Sequence, residues 1–113
     1  IERQRVLFDF SRMLLPKLGY HPQFFFGDGY LGLPTYGPFD KIIVTAGADS
    51  VPPKLLEQLV IGGRMVVPVG DRQCQVMKII VRESENSYSE QEAGNFVFVP
   101  MLPGLAEQDK TIL

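Results

Sequence analysis

The sequence predicts an α/β fold of mostly parallel strands closed by a terminal antiparallel hairpin, and three observations carry that expectation. An amphipathic helix opens the chain. Strand-like, partly β-branched runs then alternate with a helix start and stop, which is the mark of a βαβ unit. After Gly70 the pattern changes to two strand-like runs with no helical period between them.

Taken in order, residues 3–18 place Val6, Phe10, Met13 and Leu14, flanked by Leu7 and Leu18, at the three-to-four spacing of one helix face, with Gly19 set to close the helix. Such a face predicts a helix lying on a sheet. Pro16 removes one backbone donor from it, so the last turn is expected to fray or kink. Residues 23–26 and 39–45 read as strands stopped by Gly27-Asp28-Gly29 and by Ala46-Gly47, with a Gly/Pro-punctuated loop over 30–38 between them. Pro52-Pro53 sets up a second helix with Leu55, Leu56 and Leu59 on one face, and Gly62-Gly63 is expected to end it before a strand over 64–69. The arms of the hairpin are expected at 76–81 and 96–99, joined by the polar stretch 82–95. The tail from Pro100 reads as loop with a short helix near Leu105.

Composition narrows the function classes. A chain of 113 residues suffices for one domain, and its formal net charge of -2 gives no broad basic face for a nucleic-acid backbone. Cys74 is the single cysteine and His21 the single histidine, so neither an internal disulfide nor a Cys/His metal site is expected, and a reducing compartment fits. No apolar run is long enough for a membrane span and no leader pattern precedes the chain, so the expectation is a soluble cytoplasmic protein without membrane or nucleic-acid partners. The chain opens at Ile1 without methionine, starting turn or cap, as a truncated chain would.

Ligands of open parallel sheets bind outside the carboxyl ends of the strands, where backbone groups are free and loops are short. Glu2, at the start, stands where an acid of a Rossmann-like fold accepts hydrogen bonds from ribose hydroxyls; alone, it reads more readily as a solvated charge at a frayed end. In Gly27-Asp28-Gly29 the glycines permit close approach of a flat ligand and Asp28 can accept from an exocyclic amine, the plain alternative being a simple Asx-type turn. Thr45-Ala46-Gly47 leaves a small-residue opening at the next strand end, or else packs a strand tightly into a helix. His21, between Tyr20 and Pro22, reads as solvent-facing, Cys74 has no neighbouring base, and Phe24, Phe25 and Phe26 read as core or sheet surface rather than a stacking platform.

These pieces form an ordered set: Gly27-Asp28-Gly29-Tyr30-Leu31-Gly32, then Pro38-Phe39-Asp40-Lys41-Ile42-Ile43-Val44-Thr45-Ala46, then Val51-Pro52 with Leu55-Leu56-Glu57-Gln58-Leu59, then Gly62-Gly63-Arg64-Met65-Val66-Val67-Pro68-Val69-Gly70. The set closely resembles the protein-L-isoaspartate O-methyltransferase family, back to Ile1-Glu2-Arg3 and forward to Phe98-Val99-Pro100. The resemblance implies the carboxyl-terminal portion, residues 1–113, of one Rossmann-like methyltransferase domain using S-adenosylmethionine. By it, Glu2 matches the ribose-binding acid, and Asp28 with Gly29 the residues at the adenine. Val44, Thr45 and Ala46 match the segment beside the isoaspartyl substrate. Pro100 and Leu102 fall in a segment that closes over the active site. Leu102 stands where many relatives have threonine, and the family's glycine-rich loop and preceding serine-containing segment have no counterpart, so the amino-terminal cofactor loop is expected to be missing.

The activity implied is methyl transfer to the free α-carboxylate of L-isoaspartyl residues in damaged proteins or peptides, which initiates their repair. That carboxylate is ionised at neutral pH, so no general base is expected and no catalytic residue is assigned. Alternatives are another small-substrate methyltransferase with the same cofactor, a non-catalytic fragment with an incomplete cofactor site that depends on a missing amino-terminal segment, and, more distantly, a nicotinamide-dependent dehydrogenase.

Overall fold

The computed structural model describes residues 1–107. The chain divides into two compact units, one of Ile1–Gly29 with the described residues from Leu102 on, the other of Tyr30–Met101.

The first unit is led by helix α1, Arg5–Lys17. The helix starts without a side-chain cap at Gln4 and runs through Pro16 into an ordered end rather than a frayed one. The Tyr20 amide donates to the Leu15 carbonyl at 3.0 Å and the Gly19 amide to Pro16 at 3.1 Å, the paired bonds of a Schellman closure, with Gly19 at φ +89°. Pro16 leaves the Arg12 carbonyl without its usual donor, but it sits in the last turn, where its own carbonyl is satisfied by that closure. Within this unit Phe8 is buried against the Phe26 ring, centroids 5.7 Å apart, and Arg5 and Arg12 lie over the Phe8 ring. The face expected to lie on a sheet is exposed instead: Val6, Leu7, Phe10, Met13 and Leu18 are 44–59% accessible. Residues 23–26 form no strand; their extended backbone makes a single parallel bridge, Glu2 to Phe26.

The second unit carries a four-stranded sheet in the order β1 (Phe39–Ile43), β2 (Leu59–Gly70), β3 (Gln75–Ser84), β4 (Ser87–Phe96), with helix α2 (Pro53–Glu57) between β1 and β2. The β1–β2 pair is parallel and the other two pairs antiparallel. The sheet is thus mixed, with the expected hairpin closing it, and agrees with the carboxyl-terminal part of a Rossmann-like fold.

Three boundaries differ from the sequence expectation, each for a physical reason. Leu59 belongs to β2 rather than to the helix, where it is fully buried. Gly62-Gly63 does not stop a helix but forms a bulge inside β2. The pairing jumps from Phe39↔Leu59 to Lys41↔Arg64, Gly62 has φ +84°, and a Cβ on Gly63 would lie 2.8 Å from the Val60 carbonyl. The second arm of the hairpin is β4, inside the polar stretch, and residues 97–99 are not strand. β4 is an edge strand exposed along almost its whole length, with Tyr88 alone half-buried, so its sequence is rich in Ser, Glu and Gln rather than apolar. Among the described residues, through Glu107, no helix forms near Leu105.

The core of this unit is Val44, Ala48, Leu55, Leu59, Met65, Val67 and Ile80, supplied by β1's end, α2, β2 and β3. Burying a side chain such as Leu59 or Met65 completely contributes about 1.5–3 kcal/mol. Among the described residues no helix is long and apolar enough to cross a membrane.

Candidate functional site

In the first unit the backbone brings Glu2 and the Gly27-Asp28-Gly29 turn together. The Glu2 amide donates to Phe25 at 2.9 Å and the Gly27 amide to Glu2 at 3.0 Å, so the two segments run side by side as parallel strands would and end at the same level. One carboxylate oxygen of the half-buried Glu2 accepts the Arg3 amide at 2.8 Å, and its other oxygen has no partner among the described residues. Asp28 accepts the Gly104 amide at 2.9 Å. The returning tail is held from the other side too, since the Arg3 guanidinium donates to the Gly104 carbonyl at 3.1 Å and the Ala106 amide to the Arg3 carbonyl at 3.0 Å. The tail, expected as loop with a short helix, is instead pinned beside both candidate acids, and no local signal in the sequence marks a contact across such a separation. Leu102, which begins this tail, is 41% exposed.

In the second unit Val44, Thr45 and Ala46 come directly after β1. Val44 is buried and donates to the Val66 carbonyl at 2.9 Å, which extends the parallel pairing by one residue, while Thr45 is exposed and Ala46 half-buried. Beyond them Gly47 pairs in parallel with Pro100: its amide donates to Val99 at 2.7 Å and its carbonyl accepts from Met101 at 2.8 Å. The structure therefore brings Thr45-Ala46 and Pro100 side by side, two stretches more than fifty positions apart in sequence. The Tyr30 hydroxyl donates to the Met101 carbonyl at 3.0 Å and holds the far end of the same segment. Next to it lies a residue that the sequence did not single out: Gln75, 1% exposed, whose side-chain carbonyl accepts the Phe98 amide at 2.6 Å.

A groove of about 1100 Å³ opens elsewhere in this unit, among Gly32, Lys54, Gln58, Ile61 and Arg82. It lies at the beginning of β1, away from the Thr45-Ala46 end. Two of its polar side chains, Gln58 and Arg82, are already engaged by protein. Gln58 bonds Leu33 and Leu31 at 2.8 and 2.9 Å, and Arg82 bonds the carbonyls of Leu59 and Glu85 at 2.6 and 2.7 Å. Ligands of such sheets bind at carboxyl ends of strands, so the groove is not the functional site. His21 and Cys74 are both exposed, as the solvent-facing reading of His21 expects.

Comparison with known proteins bears on this geometry. The family model for protein-L-isoaspartate(D-aspartate) O-methyltransferase matches residues 1–106. A protein-L-isoaspartate O-methyltransferase of Flavobacterium psychrophilum is 52% identical over 103 residues, covering 90% of this chain and 48% of that protein. The one of Methanopyrus kandleri is 42% identical over 104 residues, covering 90% and 46%. The chain thus spans about half the length of the curated relatives it matches. A solved protein-L-isoaspartate O-methyltransferase superposes with a TM-score of 0.75 at 28% identity over 85% of this chain and 31% of that one. A Plasmodium falciparum structure of the same description, in complex with S-adenosyl-L-homocysteine, gives 0.74 at 23% identity over 89% and 50%, a likeness that speaks to the fold.

Proposed function

This chain belongs to the protein-L-isoaspartate O-methyltransferase family, and from that premise we propose that the protein carrying it methylates the free α-carboxylate of L-isoaspartyl residues in proteins and peptides, with S-adenosylmethionine as donor. The methyl ester so formed initiates repair of the damaged residue. The observation that carries this reading is the family match across residues 1–106, which runs through both candidate strand ends.

The donor set fits the adenosine part of the cofactor. Glu2 offers a carboxylate oxygen with no protein partner among the described residues, the acceptor that a ribose hydroxyl needs, at the level of the Gly27-Asp28-Gly29 turn. Asp28 and Gly29 would take the adenine, the carboxylate accepting from the exocyclic amine and the glycine leaving room for the ring plane. When bound, the cofactor supplies a methyl group on a sulfonium, which a carboxylate oxygen takes while sulfur keeps the bonding electron pair. Because the substrate carboxylate is already ionised, this chain's residues have no proton to remove; they have to orient and to exclude water. Val44, Thr45, Ala46, Pro100 and Leu102 are assigned to the peptide side. Ala46 offers apolar surface and Thr45 an exposed hydroxyl, beside the backbone-paired Pro100, while the buried Val44 anchors this strand end through its bond to Val66.

We also propose that residues 1–113 are the carboxyl-terminal portion of one methyltransferase domain, whose remaining part supplies the contacts to the methionine end of the cofactor. The length of the relatives supports this, and so does the exposed apolar face of α1, which at 44–59% accessibility is unusual for side chains spaced to be buried. The substrate class and the single exposed thiol fit a cytoplasmic setting.

The test is transfer of labelled methyl from S-adenosylmethionine to a pair of peptides that differ only in one isoaspartyl or aspartyl linkage, using the polypeptide at the length its gene encodes. Label appearing as a base-labile ester on the isoaspartyl peptide alone is expected. Labelling of both peptides to the same extent, or of neither, rejects the reading.

A further inference from the structure

We propose that Gln75 is a positioning residue that fixes the separation between the Thr45-Ala46 strand end and the Pro100 segment, and so sets the fit of the isoaspartyl peptide. The proposal rests on the substrate reading given above. Gln75, the first residue of β3, is 1% exposed although the turn before it, Asp71 to Cys74, is exposed throughout, and a buried primary amide is retained only where its donors and acceptor are met. Both ends of this amide are committed: the nitrogen donates to the Asp71 carbonyl, and the oxygen accepts the Phe98 amide at 2.6 Å.

The amide also fills the space that Gly47 leaves. A Cβ on Gly47 would lie 2.9 Å from the Gln75 Cδ and 3.1 Å from its Nε2, so the glutamine is seated against the Gly47 α-carbon. Gly47 is the residue whose amide and carbonyl pair with Val99 and Met101 at 2.7 and 2.8 Å. Gln75 therefore touches both partners of that pairing, Gly47 by packing and the 98–101 segment by a hydrogen bond. Nothing in the chemistry requires Gln75 to touch cofactor or substrate. Its effect runs through the two backbone segments it spaces, and displacement of a bound reactant by about 1 Å can cost on the order of a hundredfold in rate.

Gln75→Met keeps the length of the side chain and removes both hydrogen bonds. Gly47→Ala keeps the amide and pushes it aside. In the gene-length polypeptide each variant is expected to raise KM for an isoaspartyl peptide about tenfold while KM for S-adenosylmethionine moves by less than about twofold. Hydrogen exchange at the Phe98 amide should quicken in Gln75→Met with or without substrate, which reads the strap independently of the reaction. If S-adenosylmethionine affinity falls in step with peptide KM, or the variant does not fold, Gln75 serves the fold as a whole and the proposal is overturned. Unchanged peptide KM overturns it as well. Failure of the unsubstituted protein to methylate the peptide, with faster Phe98 exchange still seen in Gln75→Met, would sink the substrate reading and with it the peptide role, while leaving the strap itself in place.

Discussion

Between residues 30 and 101, Val44, Ala48, Leu55, Leu59, Met65, Val67 and Ile80 close over one another, whereas between residues 1 and 29 Phe8 is the single buried side chain. Both regions have apolar residues at the right periods. The second unit satisfies its pattern within itself, through a sheet whose central strand β2 alternates buried and open positions. The first does not, because α1 presents Val6, Leu7, Phe10 and Met13 to solvent. The lesson is that a hydrophobic period reports what a segment is built to bury, and not that the partner lies in the same stretch of chain. It also separates the chemistry: the residues assigned to the adenosine lie in the region with little core of its own, and most of those assigned to the peptide lie in the self-contained one.

The sharpest way to break this comparison is to truncate each region. Met65→Ala in the fully buried centre of β2 should cost about 2–5 kcal/mol, read as the shift in a denaturant titration. Phe10→Ser in the 113-residue chain, at a side chain 53% exposed, should stay within about 0.5 kcal/mol. The same Phe10→Ser change in the gene-length polypeptide should cost more than about 2 kcal/mol if that helix face is covered there. An equal, small cost in both lengths would contradict the one-domain proposal.

A smaller effect is expected at the β2–β3 turn. The Asp71 carboxylate accepts the Cys74 amide and then the Gln73 amide, at 3.0 and 2.8 Å, and these bonds hold its pKa below the usual aspartate value. A folded pKa below the unfolded one contributes stability above the unfolded pKa, which is lost as pH falls through the folded value. Thermal midpoints of the protein and Asp71→Asn should therefore differ slightly at neutral pH and converge in acid. A difference that persists unchanged into acid would assign the effect to the turn's geometry rather than to the charge.

Much of this architecture was legible in the sequence. The amphipathic spacing of α1, the β-branched run ending at Thr45, the Pro52-Pro53 helix start and the existence of a closing hairpin were all readable, because each depends on local periodicity or turn chemistry. The misplacements have a common cause. β4 carries no strand pattern since an edge strand open to water on both faces has no apolar alternation to display, and Gly62-Gly63 fits a helix stop equally well since a bulge and a helix end call for the same residue type. The placement of Glu2 beside the Gly27-Asp28-Gly29 turn could be expected from strand ends, but the Gly104 bond to Asp28 and the burial of Gln75 could not. Both depend on chain segments that meet only after folding, and a glutamine that follows a polar turn carries no mark of being enclosed.

The central claim is that Glu2 and Asp28 hold the adenosine part of S-adenosylmethionine, and calorimetric titration of that cofactor into the gene-length polypeptide tests it most directly. Dissociation constants in about the micromolar range are predicted for the unsubstituted protein, with a weakening of about tenfold in Glu2→Ala and in Asp28→Ala, since each removes a charged acceptor. No binding by the unsubstituted protein, or unchanged affinity in both variants, would contradict the account.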